Sequence, residues 1–249
     1  EQQMQGLQDL FKAFGGRSTR KRMSVAQSYD ILIGQEADKL LDDEAVKAAV
    51  FGSFLYQGQI CMSTERLIVD AKVADEFVAK FAARASELQN DDPSKNPQCI
   101  IGPMIQAASG NRINEMLEDA LSKGAKIVCG GVANGAIMPA TILDYVNSSM
   151  RIYDEETFGP VTVVVRVQSA DEAITVANDS AYGLSSGVFG RDVNRALAVA
   201  MDLEYGSVHV NGSTVQNEAQ APYGGTKASG YGRFDGRAVI DEFTELKWL

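Results

Sequence analysis

Histidine is almost missing from this 249-residue chain: His209 is the only one, and no CxxC or HExxH pattern accompanies it. No metal site is therefore expected. A Cys–His dyad is excluded unless His209 supplies it. His209 alternates with Val208 and Val210, which points it to the other face of a strand and marks it as a structural side chain with satisfied hydrogen bonds. Cysteine is sparse too: Cys61, Cys99 and Cys129 are an odd number with no paired spacing, which speaks against a disulfide framework and for a reducing, cytoplasmic setting. No apolar run approaches the roughly 20 residues of a membrane span, and no signal peptide is visible. Basic residues are outnumbered 23 to 33, for a net charge of −10. The basic patch Arg20-Lys21-Arg22 beside Arg17 has no interleaved aromatics and reads as a solvated face. Neither nucleic acid nor membrane is expected as a partner.

What is present is a core-forming chain, 45% hydrophobic and 22% charged, enough for one or two globular domains. Leu7, Leu10, Phe11 and Phe14 form an amphipathic stripe ended by Gly15-Gly16. Ile31-Leu32-Ile33 reads as a short strand. A helix from Asp42 to Leu55 follows, then a strand at Leu67-Ile68-Val69. The spacing of Val73, Phe77, Phe81, Ala85 and Leu88 predicts a helix, as does that of Ile113, Met116, Leu117, Ala120 and Leu121, closed by Gly124. Further strands are predicted at 127–129 (with Cys129 pointing into the core), 140–143, 161–167, 184–189 and 208–210, with helices at 170–178 and 193–203. This alternation indicates a layered α/β fold with a mainly parallel sheet. Phe243 to Leu249 largely alternates apolar and polar residues, so it reads as a strand. A solitary exposed strand invites pairing, hence a homodimer or higher homo-oligomer is expected through it.

The stretch with most chemical content is Tyr56-Gln57-Gly58-Gln59-Ile60-Cys61-Met62-Ser63. An apolar helix runs up to Gly58, glycine permits a sharp turn, and a cysteine follows. Two readings stand side by side: a reactive nucleophile, or the buried inert thiol that free cysteines commonly become.

Three segments resemble the signatures of the aldehyde dehydrogenases, in that family's order. Gln57 to Arg66 resembles the nucleophile segment, Asp154-Glu155-Glu156-Thr157-Phe158-Gly159-Pro160-Val161 the second signature, and Pro222-Tyr223-Gly224-Gly225-Thr226-Lys227-Ala228-Ser229-Gly230-Tyr231-Gly232-Arg233 the third. The similarity runs from about Asp42 to Leu249 and is nearest the branch acting on vanillin, salicylaldehyde and benzaldehyde. The resemblance implies that Cys61 is the catalytic nucleophile. It implies a substrate pocket from Tyr56, Gln57, Ile60, Met62, Gln216 and Tyr223, and places Glu156 and Phe158 where the nicotinamide ribose and ring are contacted. In that branch His-Asp usually stands where this chain has Gln216-Asn217, while Phe234, at a position where many members of the wider family carry Glu, follows the branch.

The resemblance begins late in the family's chain, which implies a truncated protein: the catalytic half without the dinucleotide-binding domain. The family's oxyanion-hole Asn and nucleotide-binding Lys fall in that missing part, leaving the Cys61 backbone N–H. The general-base Glu of the family's Glu-Leu-Gly-Gly-Lys motif aligns with Ala26 or Gln27, and the next carboxylate, Glu36, lies in a charged run. The resulting division is a residual segment at 1–41, a catalytic domain at 42–230 and an oligomerisation tail at 231–249. Glu156 and Phe158 are then vestigial and no cofactor is expected, NAD or NADP being the alternative. The expected function is non-redox catalysis on, or binding of, a small apolar or aromatic carbonyl compound. A structural or regulatory pseudoenzyme, and a split or contracted NAD(P)-dependent dehydrogenase, are the other two readings.

Overall fold

The computed structural model describes residues 37–248. The stripe at Leu7 to Phe14, the strand at Ile31 to Ile33, Glu36 and the base position at Ala26 or Gln27 lie outside the described residues. Backbone contacts group Lys39–Leu249 as one unit and Glu1–Asp38 as another; the account that follows concerns the first.

The helix α1 (Ala37–Phe54) leads to the strand β1 (Arg66–Asp70), and α2 (Ala71–Ala85) follows directly. The Asp70 carboxylate starts α2 by accepting from the Lys72 N–H at 2.9 Å, an N-cap that satisfies one free helix donor. Ala74, Val78, Phe81 and Ala85 are its buried residues, spaced by four, three and four, so one face enters the core. Next come α3 (Ala107–Ser122), β2 (Lys126–Cys129), β3 (Thr141–Asp144), the single turn α4 (Arg151–Asp154) and β4 (Val161–Val167).

The four strands form one sheet in the order β1-β4-β3-β2. The β1–β4 and β3–β4 pairs are parallel, and β2 is antiparallel at the edge. Alternation along β4 divides the core in two. Val161, Val163 and Val165 pack with α3 through Ile113, Met116, Leu117 and Ala120. Val164 faces the opposite way, onto Val46 and Ala49 of α1 and Ala74, Val78 and Phe81 of α2. Helices thus cover both faces of the sheet, which is why β3 is buried throughout and β4 reads as a nearly continuous apolar run. Cys129 packs half-buried against the second of these clusters, and burial pushes its thiol up.

Beyond β4 lie α5 (Ala170–Asn178), β5 (Tyr182–Gly183), β6 (Ser185–Val188), α6 (Val193–Met201), β7 (Ser207–Val210), β8 (Thr226–Lys227) and α7 (Ala238–Glu242). β6 and β7 pair in parallel, and β5 and β8 pair antiparallel. Two sequence expectations need correction. The C-terminal strand is not formed: the described residues after α7 have no regular secondary structure, and Phe243, Leu246 and Trp248 are exposed. Alternation supplies only the side-chain pattern; a strand also needs an edge to hydrogen-bond, and the tail pairs with none of the edges in the described chain. His209 stands in β7 as expected, but its Nε2 is buried without a hydrogen-bond partner among the described residues, and burial pulls its pKa down, favouring the neutral ring.

Candidate active site

Cys61 is presented by a strained reversal. Tyr56, Gln57 and Gly58 have φ values of 49°, 59° and 67°, three successive residues in the left-handed region. That conformation costs a non-glycine residue roughly 1–2 kcal/mol, so neighbouring contacts must hold it. With its amide oriented to satisfy both ends, Gln57 donates to the Tyr56 carbonyl at 2.7 Å and accepts from the Gly102 N–H at 2.8 Å. Gln59 donates its backbone N–H to the Tyr56 carbonyl at 3.0 Å, and its Oε1 accepts from the Ile105 N–H at 2.9 Å. Gly58 packs so closely that a Cβ there would collide with the carbonyl of Gly159. The first two signature segments therefore meet backbone to backbone, and only glycine allows it. Strain maintained in this way clusters at functional positions.

The far side of the Cys61 loop is tied down as well. The Ser63 hydroxyl donates to the Gly52 carbonyl at 3.1 Å, and the Ser53 hydroxyl to the Thr64 carbonyl at 3.0 Å. Thr214, after β7, donates to the Met62 carbonyl at 2.8 Å and lies 2.7 Å from the Thr64 hydroxyl. Cys61 itself is exposed, with its Sγ 3.4 Å from the Tyr223 Oη.

The loop carrying Glu156 and Phe158 is clamped from two directions. The Glu65 carboxylate accepts from the Thr157 and Phe158 N–H groups, both at 2.8 Å. From the other side the Arg112 guanidinium donates to the carbonyls of Glu156, at 3.0 Å, and Thr157. Phe158 is held at a φ of 47°, with its ring partly exposed. Burial raises the Glu65 pKa, Glu156 adds to the rise, and the two backbone donors oppose it. Neither Glu65 nor Arg112 stood out as functional in the sequence. Glu65 lies inside the nucleophile segment, four residues after Cys61, and was legible there only as part of a match. Arg112, on α3, carried no local signal.

A cavity of about 910 Å³ extends from Cys61 along β1 to β6. Ile60, Cys61, Glu65 and Glu156 share its wall with Leu67, Val69, Tyr182 and Leu184. Tyr56, Gln57, Met62, Gln216, Tyr223 and Phe158 do not line it. Tyr56 and Gln216 are exposed, and Tyr223 meets Cys61 through its hydroxyl. Among the described residues, no group of three or more His, Cys, Asp or Glu side chains gathers as a metal site, and no helix is long and apolar enough to cross a membrane.

The class is set by a mainly parallel α/β layer with an exposed Cys61 on a turn whose Gly58 packs against Gly159 of the Phe-Gly-Pro loop. The sequence model of the aldehyde dehydrogenase family matches residues 26–249, and the chain belongs to that family. It is 73% identical over 207 residues to a salicylaldehyde dehydrogenase of Pseudomonas putida, covering 83% of this chain and 43% of that protein. The crystal structure of salicylaldehyde dehydrogenase from Pseudomonas putida G7, complexed with salicylaldehyde, superposes with a TM-score of 0.82 at 72% identity, over 84% of this chain and 43% of that one. Glyceraldehyde-3-phosphate dehydrogenase GapN of Methanocaldococcus jannaschii, complexed with NADP, gives a TM-score of 0.77 at 33% identity, over 83% and 44% of the two chains. A betaine aldehyde dehydrogenase of Staphylococcus aureus, in complex with NAD+, gives 0.76 at 33%, over 81% and 41%. The chain thus spans less than half the length of these relatives.

These findings overturn the expectation that no cofactor is used, because structural relatives sharing this part of the fold hold NADP or NAD+. The reason for the error is specific. The short chain argued against a dinucleotide, but chain length does not bear on the nicotinamide end of one. Here the described residues fit that end: Glu156 is exposed on the same cavity wall as Cys61, and Glu65 and Arg112 fix its loop.

Proposed function

We propose that this chain carries the aldehyde-handling part of an aldehyde dehydrogenase, with residues 42–230 as the catalytic unit and a small aromatic aldehyde as substrate. The overall reaction would be aldehyde, water and NAD+ or NADP+ giving carboxylate, the reduced cofactor and two protons. The observation that carries this reading is the placement of an exposed Cys61, on a strained and clamped turn, on one cavity wall with Glu156. The Cys61 sulfur adds to the carbonyl carbon, forming a carbon–sulfur bond as the carbonyl oxygen takes up negative charge. The Cys61 N–H is the available donor to that oxygen. A bound nicotinamide supplies the two-electron acceptor for the oxidation, and Glu156 and Phe158 would hold its ribose and ring. Water then cleaves the resulting thioester, releasing the acid and restoring the thiol. The aromatic preference rests on similarity to the salicylaldehyde enzyme. The tail at 231–249, with its exposed apolar side chains, is the proposed contact for a second copy of the chain.

A second reading follows from Ala26 or Gln27 at the position of the family's general base. Without a carboxylate there, cleavage of the thioester becomes the slow step and Cys61 captures its carbonyl compound without turning over. Both readings are tested by mixing the protein with salicylaldehyde and NAD+ or NADP+ and following absorbance at 340 nm. Sustained production abolished in Cys61→Ser supports the dehydrogenase. A single burst of one equivalent per chain, also abolished in Cys61→Ser, supports capture. Full activity in Cys61→Ser would remove the nucleophile from either reading.

A further inference from the structure

Tyr223 comes to Cys61 from 162 residues away in the chain, and the surrounding geometry makes it more than a wall. Its backbone is fixed against Phe234 by two hydrogen bonds: the Tyr223 N–H donates to the Phe234 carbonyl at 2.8 Å, and the Phe234 N–H to the Tyr223 carbonyl at 2.6 Å. Immediately behind it, Gly224 lies so close to the Gly232 carbonyl that no side chain fits between them. Arg233 locks the same corner by donating to the carbonyls of Gly225, at 2.8 Å, and Gly232, at 2.7 Å. The phenol therefore projects from a stiff corner to a sulfur held on an equally stiff turn.

We propose that Tyr223 is the positioning residue for the Cys61 nucleophile, its phenol giving its one hydrogen to the sulfur when the sulfur is ionised. The proposal rests on Cys61 being the nucleophile. An ionised thiolate has no hydrogen of its own, so it can only accept, and at a separation of 3.4 Å the phenol is placed to donate. Hydrogen bonds to a charged acceptor are stronger than those between neutral groups, so the contact favours the attacking form and fixes the direction of its lone pairs. The charged groups bearing on the phenol are Cys61, from the nucleophile loop, and Asp235, from the segment after Phe234. The Asp235 carboxylate is itself engaged by the Asn217 amide at 2.8 Å. Burial of the ring is the largest influence on the phenol, with Cys61 next. Together they push its ionisation well above the usual tyrosine range, so its hydrogen is retained throughout the working pH range.

The test is alkylation of Cys61 by iodoacetamide, followed by mass spectrometry of its own peptide so that Cys99 and Cys129 do not contribute. Tyr223→Phe removes one oxygen from a half-buried ring and keeps the packing, which far-UV circular dichroism verifies. The expected result is alkylation about three- to ten-fold slower than wild type at pH 7, the scale of a single hydrogen bond, with the gap closing by pH 10. Tyr231→Phe, which changes an exposed tyrosine that makes no contact with Cys61, is expected to leave the profile unmoved. An unchanged profile in Tyr223→Phe would overturn the proposal. So would a loss that is the same at every pH, because a purely structural role predicts that. No turnover is needed for this readout, so failure here and failure of the dehydrogenase reading in Cys61→Ser are separate results.

Discussion

The sheet half of the described chain and the stretch after residue 180 are stabilised differently. Around β1-β4-β3-β2, two apolar clusters enclose side chains such as Phe81, Ile113, Met116, Leu117 and Leu143 with no measurable exposure. After residue 180 the buried apolar residues are Ala196 and Ala200, while Leu197, Met201, Ile240, Phe243 and Trp248 stand exposed. The difference follows from residue type. β4 is Val-Thr-Val-Val-Val-Arg-Val and buries both faces, whereas β6 is Ser-Ser-Gly-Val and offers little to bury. The second region is held instead by close backbone approaches at glycines, as at Gly206 against Gly224, and by side-chain to backbone hydrogen bonds, as from Thr226 to the carbonyls of Gly183 and Glu204. The candidate site joins the two: Cys61 belongs to the dense region and Tyr223 to the open one.

That contrast can be broken most severely at Arg166. Its guanidinium reaches the Asp144 carboxylate at 2.6 Å and lies 4.3 Å from the centre of the Tyr145 ring. Asp144 is 2% exposed. Arg166→Met leaves that carboxylate buried and unpaired, and the expected loss is about 3–5 kcal/mol of unfolding free energy in urea titrations. A loss below about 1 kcal/mol would mean that the dense region does not depend on this pair.

Glu65→Gln tests the clamp on the Phe158 loop and should be milder. Glutamine keeps one oxygen for two N–H donors, so one is left unsatisfied at a cost of about 1–3 kcal/mol. The pH dependence has a definite sign. Burial raises the folded Glu65 pKa above its ordinary value of 4.5, so the folded state retains this proton longer than the unfolded state does. The stability linked to that proton is full below the ordinary value and is lost as pH rises to the raised folded value. Glutamine does not titrate, so wild type should lose stability relative to Glu65→Gln across that window. Chemical melts from pH 4 to 7 that stay parallel would contradict this.

The smallest effect is expected in the open region. Leu246 is fully exposed, so Leu246→Lys should change monomer stability by no more than about 0.5 kcal/mol. If the tail contacts a second copy, light scattering should nevertheless show a lower mass for the variant. An unchanged mass would leave the tail without that role.

Much of the fold was legible because periodicity is a local property. The helix at 170–178 and the strands at 127–129 and 161–167 could be read from side-chain spacing and β-branching alone. The C-terminal strand could not, because pairing needs a partner edge that Phe243 to Trp248 do not carry themselves. His209 failed for a related reason: alternation gives the face a side chain points to, but not whether an acceptor or donor waits there. At the site, Cys61, Glu156 and Phe158 announced themselves through short motifs, and the motifs also marked the family. Arg112 did not, since its two bonds go to backbone carbonyls 44 and 45 residues away and no local pattern encodes such a contact.

By itself the sequence determined the layered α/β class, the elements of the sheet and the cysteine to examine. Those follow from the order of side chains along the chain. The tertiary structure alone decided that Gly58 meets Gly159, that Glu65 and Arg112 grip one loop from two sides, and that Tyr223 reaches the Cys61 sulfur. Each of these depends on distances through space between residues remote in sequence, which hydrophobic periodicity and turn chemistry leave undetermined.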